Sequence, residues 1–356
     1  MTSAIPVNKK LHHLPELDSL RTFAVIMTLL AHFSPIEIPY MWYGVQVFFT
    51  ISGFLITVIL IKSLNNKQRQ SKLTIIKNFM IRRAFRLFPV YYLFLLFFWL
   101  AKKYMGLYLW KDEFTPWFFT YTPNFLIHKI GSGNALCFAH LWSLGVEEQF
   151  YLFWPWLMLF IAPKFRMVVI TIMISISLVY IFFNSNDPYL GALTFTNFHT
   201  LGAGAILACF YTSHAAAINW LKNNRHLLFT IAFIHLLIVL IFYQTGSPYW
   251  LLYREISLCM CTFSIVLVSI YGWNGLIGYI TRNKQVQYIG TISYGIYLFH
   301  MPVPYVYRAM NAKFFPSFHL DQVSFLLMCF AVTFLLSALS FKYIETPFLK
   351  LKERFA

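Results

Sequence analysis

Ten apolar runs of about bilayer-spanning length constrain this chain more than any motif does. They fall at 19–36, 42–62, 79–101, 141–162, 167–183, 198–213, 227–243, 250–271, 289–307 and 323–344. A soluble domain could not hide so much apolar surface, because 59% of the 356 residues are hydrophobic and only 11% are charged; lipid accepts it. The expected fold is an all-α integral membrane protein, a bundle of about ten transmembrane helices. Ten spans place both termini on one side, and basic residues say which. With the N-terminus inside, the inner segments, from Lys9 and Lys10 to Lys350, Lys352 and Arg354, carry 21 Lys and Arg against 7 outside. That asymmetry is the mark of cytoplasmic loops. Runs 141–162 and 198–213 fit least well, one holding two glutamates and the other being short.

The net charge of +16 would suggest nucleic acid for a soluble protein. Here it reflects positive inner loops and an anionic lipid or ligand, so the expected partners are the lipid bilayer and a substrate, with no nucleic acid. Cys137, Cys209, Cys259, Cys261 and Cys329 lie mostly inside apolar runs without paired spacing. They read as packing residues, and no metal site is expected. The first 16 residues are polar and basic and hold no short apolar stretch or cleavage site, which speaks against a signal peptide. No internal repeat is present. The longest piece between runs, 102–140, is aromatic and contains Pro116, Pro123, Gly131 and Gly133. Facing outward, it is either a lid or acceptor platform, or a loop that only covers the bundle.

The first run, Leu17 to Pro35, holds an arginine, Arg21, and eleven residues later a histidine, His32. Eleven helical steps of ~100° return to nearly the same face and climb ~16 Å, about half a bilayer core. Arg21 then sits at a membrane surface with His32 above it near the midplane. An ionisable group at that depth faces the bundle interior or a watery cavity and has a task there. A polar tunnel with a histidine in its middle is the expectation. Asp18 falls where a helix N-cap would lie, three residues before Arg21, so the two form either a cap with a snorkelling arginine or a site pair.

Four further runs carry chemistry. Gly44 to Leu55 contains Ser52 and Gly53, small residues that let helices approach closely. Arg82, Arg83 and Arg86 stand at the cytoplasmic mouth of the third span, as positive-inside anchors or as a phosphate clamp; Arg82 and Arg86, four apart, share a face. His140-Leu-Trp-Ser-Leu-Gly-Val-Glu-Glu-Gln-Phe-Tyr151 is the most unusual. As a helix it puts His140, Ser143, Glu147 and Tyr151 on one side, with Glu148 turned ~100° away. Two carboxylates entering a span must be paired, protonated or wet. His300 lies toward the outer end of its span and Glu345 at the inner end of the last.

Together these runs resemble the acyltransferase-3 family, integral-membrane acyltransferases that decorate bacterial polysaccharides. The likeness covers nearly the whole chain in order: Leu17-Asp-Ser-Leu-Arg21 with His32, Val47-Phe-Phe-Thr-Ile-Ser-Gly-Phe54, Arg82-Arg-Ala-Phe-Arg86, His140 to Tyr151, Ser293-Tyr to His300, and Ile344-Glu-Thr-Pro347. The resemblance implies one transmembrane domain over 1–356, in the bacterial cytoplasmic (inner) membrane with both termini cytoplasmic. It makes His32 the catalytic histidine and Arg21 its companion, and gives Arg83 and Arg86 to an acyl-donor motif. Arg82 and Ser52 are grouped with that donor set, Asp18 and Glu147 with the catalytic set, and Trp142, Ser143, His140, Glu148, His300 and Glu345 are further site candidates. Ser19 replaces a glycine common in the first motif, and Gln46 stands where many relatives carry an acid. No segment long enough for the soluble esterase-like domain of some relatives follows the tenth span.

The expected function is O-acyl transfer, of acetyl in the first instance, from cytosolic acyl-CoA (acetyl-CoA) to a hydroxyl of a surface or envelope glycan such as O-antigen lipopolysaccharide, capsule or exopolysaccharide. A lipid-linked glycan acceptor fits the same scheme. A sugar hydroxyl is a poor nucleophile and needs a base, which His32 supplies, either as general base or as acyl acceptor. Glu147 would orient its ring or hold its proton, and the arginines would bind the phosphates of the donor. The rival is a transporter or flippase of a lipid-linked sugar, with His32, Glu147 and Arg21 as a relay; the absence of duplicated halves weighs against it.

Overall fold

The computed structural model describes residues 14–34, 41, 43–66, 70–106, 109–242, 247–314 and 320–352. Lys9, Lys10, Pro35 and Arg354, which entered the reading above, lie outside them, as do Lys67 and Arg69 among the inner bases counted there. The described residues are helical and contain no strand, as expected where lipid offers the backbone no hydrogen bonds. Three long helices come first: α1 (Pro15–Phe33), α2 (Tyr43–Asn65) and α3 (Lys72–Met105). The short α4 (Thr115–Phe119) and α5 (Pro123–Ile130) and a 3-10 stretch, Ser132–Leu141, lead into α6 (Trp142–Phe160). Then come α7 (Pro163–Phe183), α8 (Phe198–Ser213), α9 (Ala215–Ile241) and α10 (Pro248–Tyr271). After the short α11 (Gly275–Thr281) and α12 (Lys284–Thr291), the chain passes through α13 (Ser293–Phe299) and α14 (Pro302–Phe314) to α15 (Gln322–Ser340). A π turn, Phe341–Glu345, joins α15 to α16 (Thr346–Lys352).

Among the described residues, six helices are long and apolar enough to cross a membrane: α2, α3, α7, α9, α10 and the continuous Gln322–Leu351. The other four expected runs are helical but charged, short or broken. α1 carries Glu16, Asp18 and Arg21, α6 carries Glu147 and Glu148, and α8 has 16 residues. The run 289–307 is divided among α12, α13 and α14. Its second break has a cause in the sequence: Pro302 has no N–H for the carbonyl of Leu298, four residues back. That carbonyl accepts instead from His140 Nε2 at 3.1 Å. The break thus fixes one site histidine and leaves another, His300, at the corner.

α2 is the central post, with 72% of its apolar window buried, whereas α9 at 17% faces outward along most of its length. α2 and α8 meet backbone to backbone. A Cβ on Gly53 would lie 1.9 Å from the Leu201 carbonyl oxygen, and one on Gly204 2.0 Å from that of Thr50. Small residues at such a crossing let dispersion contacts form along both backbones. Gly53 therefore packs, as its residue type suggests, while its neighbour Ser52 turns to the site.

α1 is held from its polar end. Ser19 is fully buried and its hydroxyl donates to the Thr281 carbonyl at 2.5 Å, and Thr22 donates to that of Val286. A glycine at position 19 could not make this bond. The helix starts three residues before Asp18, with Leu14 at the cap and Pro15 at N1, a position that suits proline because the N–H there has no helical partner. The N-cap expected of Asp18 is thus corrected. Asp18 lies inside the helix and pairs with Arg21 at 2.6 Å.

The 102–140 segment both covers and lines. Phe138 is buried among Phe94, Phe98, Trp110 and Phe118, with ring centroids 4.9–5.6 Å away. Ile127, Ser132, Gly133 and Ala139 from the same segment face a large cavity.

Candidate active site

Two chambers meet inside the bundle. The larger, of about 830 Å³, is lined by His32, His140, Trp142, Ser132, Ser185 and Asp187 among others. The smaller, of about 90 Å³, is lined by Arg21, Arg83, Arg86, Ser52, Glu147 and Tyr151 among others. Val45 and Tyr297 belong to both linings. The polar interior expected from the sequence is thus lined as two adjoining chambers, with Val45 and Tyr297 the wall they share. Arg21 and His32 share α1, but each serves its own chamber.

In the small chamber, Glu147 accepts from Ser52 Oγ at 2.8 Å and from Tyr151 Oη at 3.0 Å. The second bond spans the i, i+4 spacing that put both residues on one face. The Arg83 guanidinium lies over the Tyr151 ring, 4.7 Å from its centroid, a cation–π contact that orients the fork. Arg86 has Arg21, Arg83 and Glu345 as charged neighbours. Glu147 is thus bound within the arginine chamber, and its expected contact with the His32 ring is not made. The arginine face is corrected as well. Arg83 and Arg86, three apart, line the chamber, whereas Arg82 does not, because one residue turns a side chain ~100° around the helix.

On the other side of the wall, His32 Nδ1 lies 2.9 Å from the carbonyl of Thr28. A carbonyl only accepts, so Nδ1 carries the hydrogen and the neutral ring has its lone pair on Nε2. The ring is half-buried and borders the large cavity. His300 stands edge-on behind it, ring centroids 4.7 Å apart, with His140 a further 4.9 Å on. His300 is fully buried and donates from Nδ1 to the Tyr297 carbonyl at 2.6 Å. The described residues contain no cluster of His, Cys, Asp and Glu able to hold a metal.

At the shared wall, Tyr297 belongs to a hydroxyl pair. Ser143 Oγ and Tyr297 Oη are 2.5 Å apart, and Tyr297 donates to the His140 carbonyl at 2.9 Å. Ser143 lines the small chamber and His140 and Trp142 the large one, so one helical turn of the His140–Tyr151 run spans the boundary. Glu148 and Glu345 line neither chamber. Both are buried, and each leaves one carboxyl oxygen, Oε1, without a hydrogen bond among the described residues.

The large cavity has a polar wall that the sequence reading missed. His199 Nε2 lies 3.1 Å from Glu255 Oε2, and Arg254 grips the other oxygen of Glu255 through Nη2 at 2.6 Å and Nε at 2.9 Å. Gln46 accepts from Thr200 at 2.8 Å and donates to Asn197 at 3.2 Å, a neutral amide role in keeping with the absence of an acid there. His199 and Glu255 sit inside apolar runs, so the rule that singled out His32 applied to them equally. Amides, a carboxylate, a guanidinium and Trp142 around one cavity suit a hydroxyl-rich ligand.

A family model described as an acyltransferase domain matches residues 14–341. Among curated relatives, "Peptidoglycan O-acetyltransferase OatA" of Listeria monocytogenes is 27% identical over 95% of this chain and 56% of its own. "Putative peptidoglycan O-acetyltransferase YrhL" of Bacillus subtilis is 29% identical over 96% of this chain and 56% of its own. A putative O-acetyltransferase of Staphylococcus aureus is 27% identical over 96% and 58% respectively. The chain thus spans little more than half the length of these relatives. No solved structure matches it.

Proposed function

Because this chain belongs to the acyltransferase-3 family, we propose that it moves an acetyl group from cytosolic acetyl-CoA to a hydroxyl of a cell-envelope glycan. The relatives named for peptidoglycan make that polymer, or a lipid-linked precursor of it, the acceptor to test first, ahead of lipopolysaccharide. One observation carries the reading: a guanidinium-lined pocket and a roomy polar cavity meet at a shared wall, with His32 lining the cavity. The donor's thioester end would enter the small chamber with its phosphates toward Arg21, Arg83 and Arg86. Guanidinium forks match phosphate oxygens two at a time. A chamber of about 90 Å³ holds an acyl group and the end of its arm, so the nucleotide would stay at the mouth. The glycan hydroxyl would approach through the large cavity and lose its proton to His32 Nε2. Glu147, tied to Ser52 and Tyr151, would hold the arginine chamber in shape.

Donor binding tests this directly. Titrating purified protein with coenzyme A should show that Arg86→Ala weakens binding by ~1.5–3 kcal/mol, the loss of one charge-assisted contact. Arg86→Lys should recover only part, since charge returns without the fork. Full recovery by lysine, or unchanged affinity in Arg86→Ala, would reduce the cluster to a positive-inside anchor. Absence of coenzyme A binding by folded wild type would promote the transporter reading.

The proposal also needs the basic end in the cytoplasm of a bacterial inner membrane. Cysteines introduced at Gly133 and Lys72, both exposed, should report it: an impermeant maleimide applied to intact cells should label Gly133→Cys and spare Lys72→Cys. The native cysteines are buried or partly so, which keeps the background low. The reverse pattern would put the arginines on the side that lacks the donor.

A further inference from the structure

We propose that Tyr297 is a catalytic residue, an oxyanion donor to the thioester carbonyl, with Ser143 as the positioning residue behind it. The inference rests on the acyl transfer proposed above. It starts from a geometric necessity. If donor and acceptor occupy separate chambers, the carbonyl carbon must reach the wall between them, and the wall has one polar side chain that faces both sides, Tyr297. Its partner in the wall, Val45, has no hydrogen-bonding group.

Tyr297 is buried, and its ring packs 5.3 Å from His300 and 5.7 Å from His140. It therefore stands one ring away from His32, which meets His300 edge-on. Base and hydroxyl both border the large cavity, from two helices, α1 and α13. The hydroxyl is also prepared to donate. Its proton goes to the His140 carbonyl, and its lone pair receives the Ser143 hydroxyl, which reaches that carbonyl at only 3.3 Å. A hydroxyl that accepts a hydrogen bond is a better donor for it, and both effects are stronger in a dry site. Rotation about the Cζ–Oη bond is enough to turn this proton from the His140 carbonyl to the thioester oxygen.

The step balances with groups already named. The acceptor hydroxyl gives its proton to His32 Nε2 while its oxygen bonds to the thioester carbonyl carbon. The C=O electron pair moves onto oxygen, where Tyr297 Oη–H meets it. Collapse restores C=O and breaks C–S, and the departing sulfur takes the proton from His32. Ester and free thiol result. Charge grows on that oxygen only as the transition state forms, so a donor aimed there raises kcat rather than affinity.

The test is acetyl transfer from labelled acetyl-CoA to a glycan acceptor by purified protein, wild type against Tyr297→Phe, with coenzyme A titration and thermal unfolding of each. The expected result is a ~10²–10³-fold fall in kcat, the usual cost of one oxyanion donor, with KM for acetyl-CoA, coenzyme A affinity and unfolding temperature unchanged. A kcat within threefold of wild type overturns the assignment, and so does a fall matched by equal loss of coenzyme A affinity. Should Tyr297→Phe fail to fold, Ser143→Ala decides. It leaves the phenol in place without its supporting donor and should lower kcat about tenfold at unchanged KM, while Ser143→Thr should restore most of it. Equal kcat in Ser143→Ala and wild type would then overturn it. Failure of the wild type itself to transfer acetyl strikes the proposed function, a result distinct from any difference between variants.

Discussion

His32→Ala should leave a well-expressed protein that binds coenzyme A and makes essentially no glycan ester. The ring lines the large cavity and not the arginine chamber, so its loss should not touch the donor. Nor does the helix depend on it. The Nδ1 bond is to Thr28 in the same turn, and alanine has the higher helix propensity. What goes is the nitrogen on which the neutral ring keeps its lone pair. Removing a general base costs ~10²–10⁴ in rate, and more where the same atom also carries the acyl group. Ester content of purified glycan and single-turnover acetyl transfer are the measurements. Wild-type ester from well-expressed His32→Ala would remove the histidine from the mechanism.

Gly53→Ala should be the more destructive change, though it adds one methyl and touches no site residue. The added carbon would sit 1.9 Å from a backbone carbonyl on α8, which has no rotamer with which to give way. Overpacking costs ~1–3 kcal/mol where side chains can shift; here two helices must part, and α2 is the post on which the bundle packs. The expected outcome is loss of the monodisperse protein in detergent. Its neighbour gives the contrast. Ser52→Ala removes one hydrogen bond to Glu147 and should leave expression intact while lowering activity. If Gly53→Ala matched wild type in yield and unfolding temperature, the close α2–α8 crossing would be wrong.

The bundle was legible in the sequence because lipid imposes a simple rule on composition: among the described residues each apolar run is mainly helix. The rule does not count crossings, and so the run 289–307 gave no sign that Pro302 would fold it into a corner holding His300. Helical periodicity placed Glu147 beside Tyr151, and it is blind to partners on other helices. It sent Glu147 toward His32, when Ser52, 95 residues away, was waiting for it. The arginine face failed for a related reason: spacings of three and four both put residues on one side of a helix, and only packing against α6 selects Arg83 and Arg86. The wall was not legible. Tyr297 is one of 22 tyrosines, and nothing local separates a phenol that fills a core from one that divides two chambers.

That division bears on how such a membrane stays energised. A pore wide enough to pass a coenzyme A thioester, or wet from end to end, would leak protons down the gradient that powers the cell. With Tyr297 and Val45 lining both chambers, only the acetyl group and, in exchange, the acceptor's proton need cross in the proposed reaction. That exchange carries no net charge, so it is indifferent to the membrane voltage. Carrying the donor's phosphates across would instead exchange ~2.3 kcal/mol with the field for every charge and every 100 mV. An envelope decorated through such a partition would cost the cell its thioester and nothing from its ion gradient.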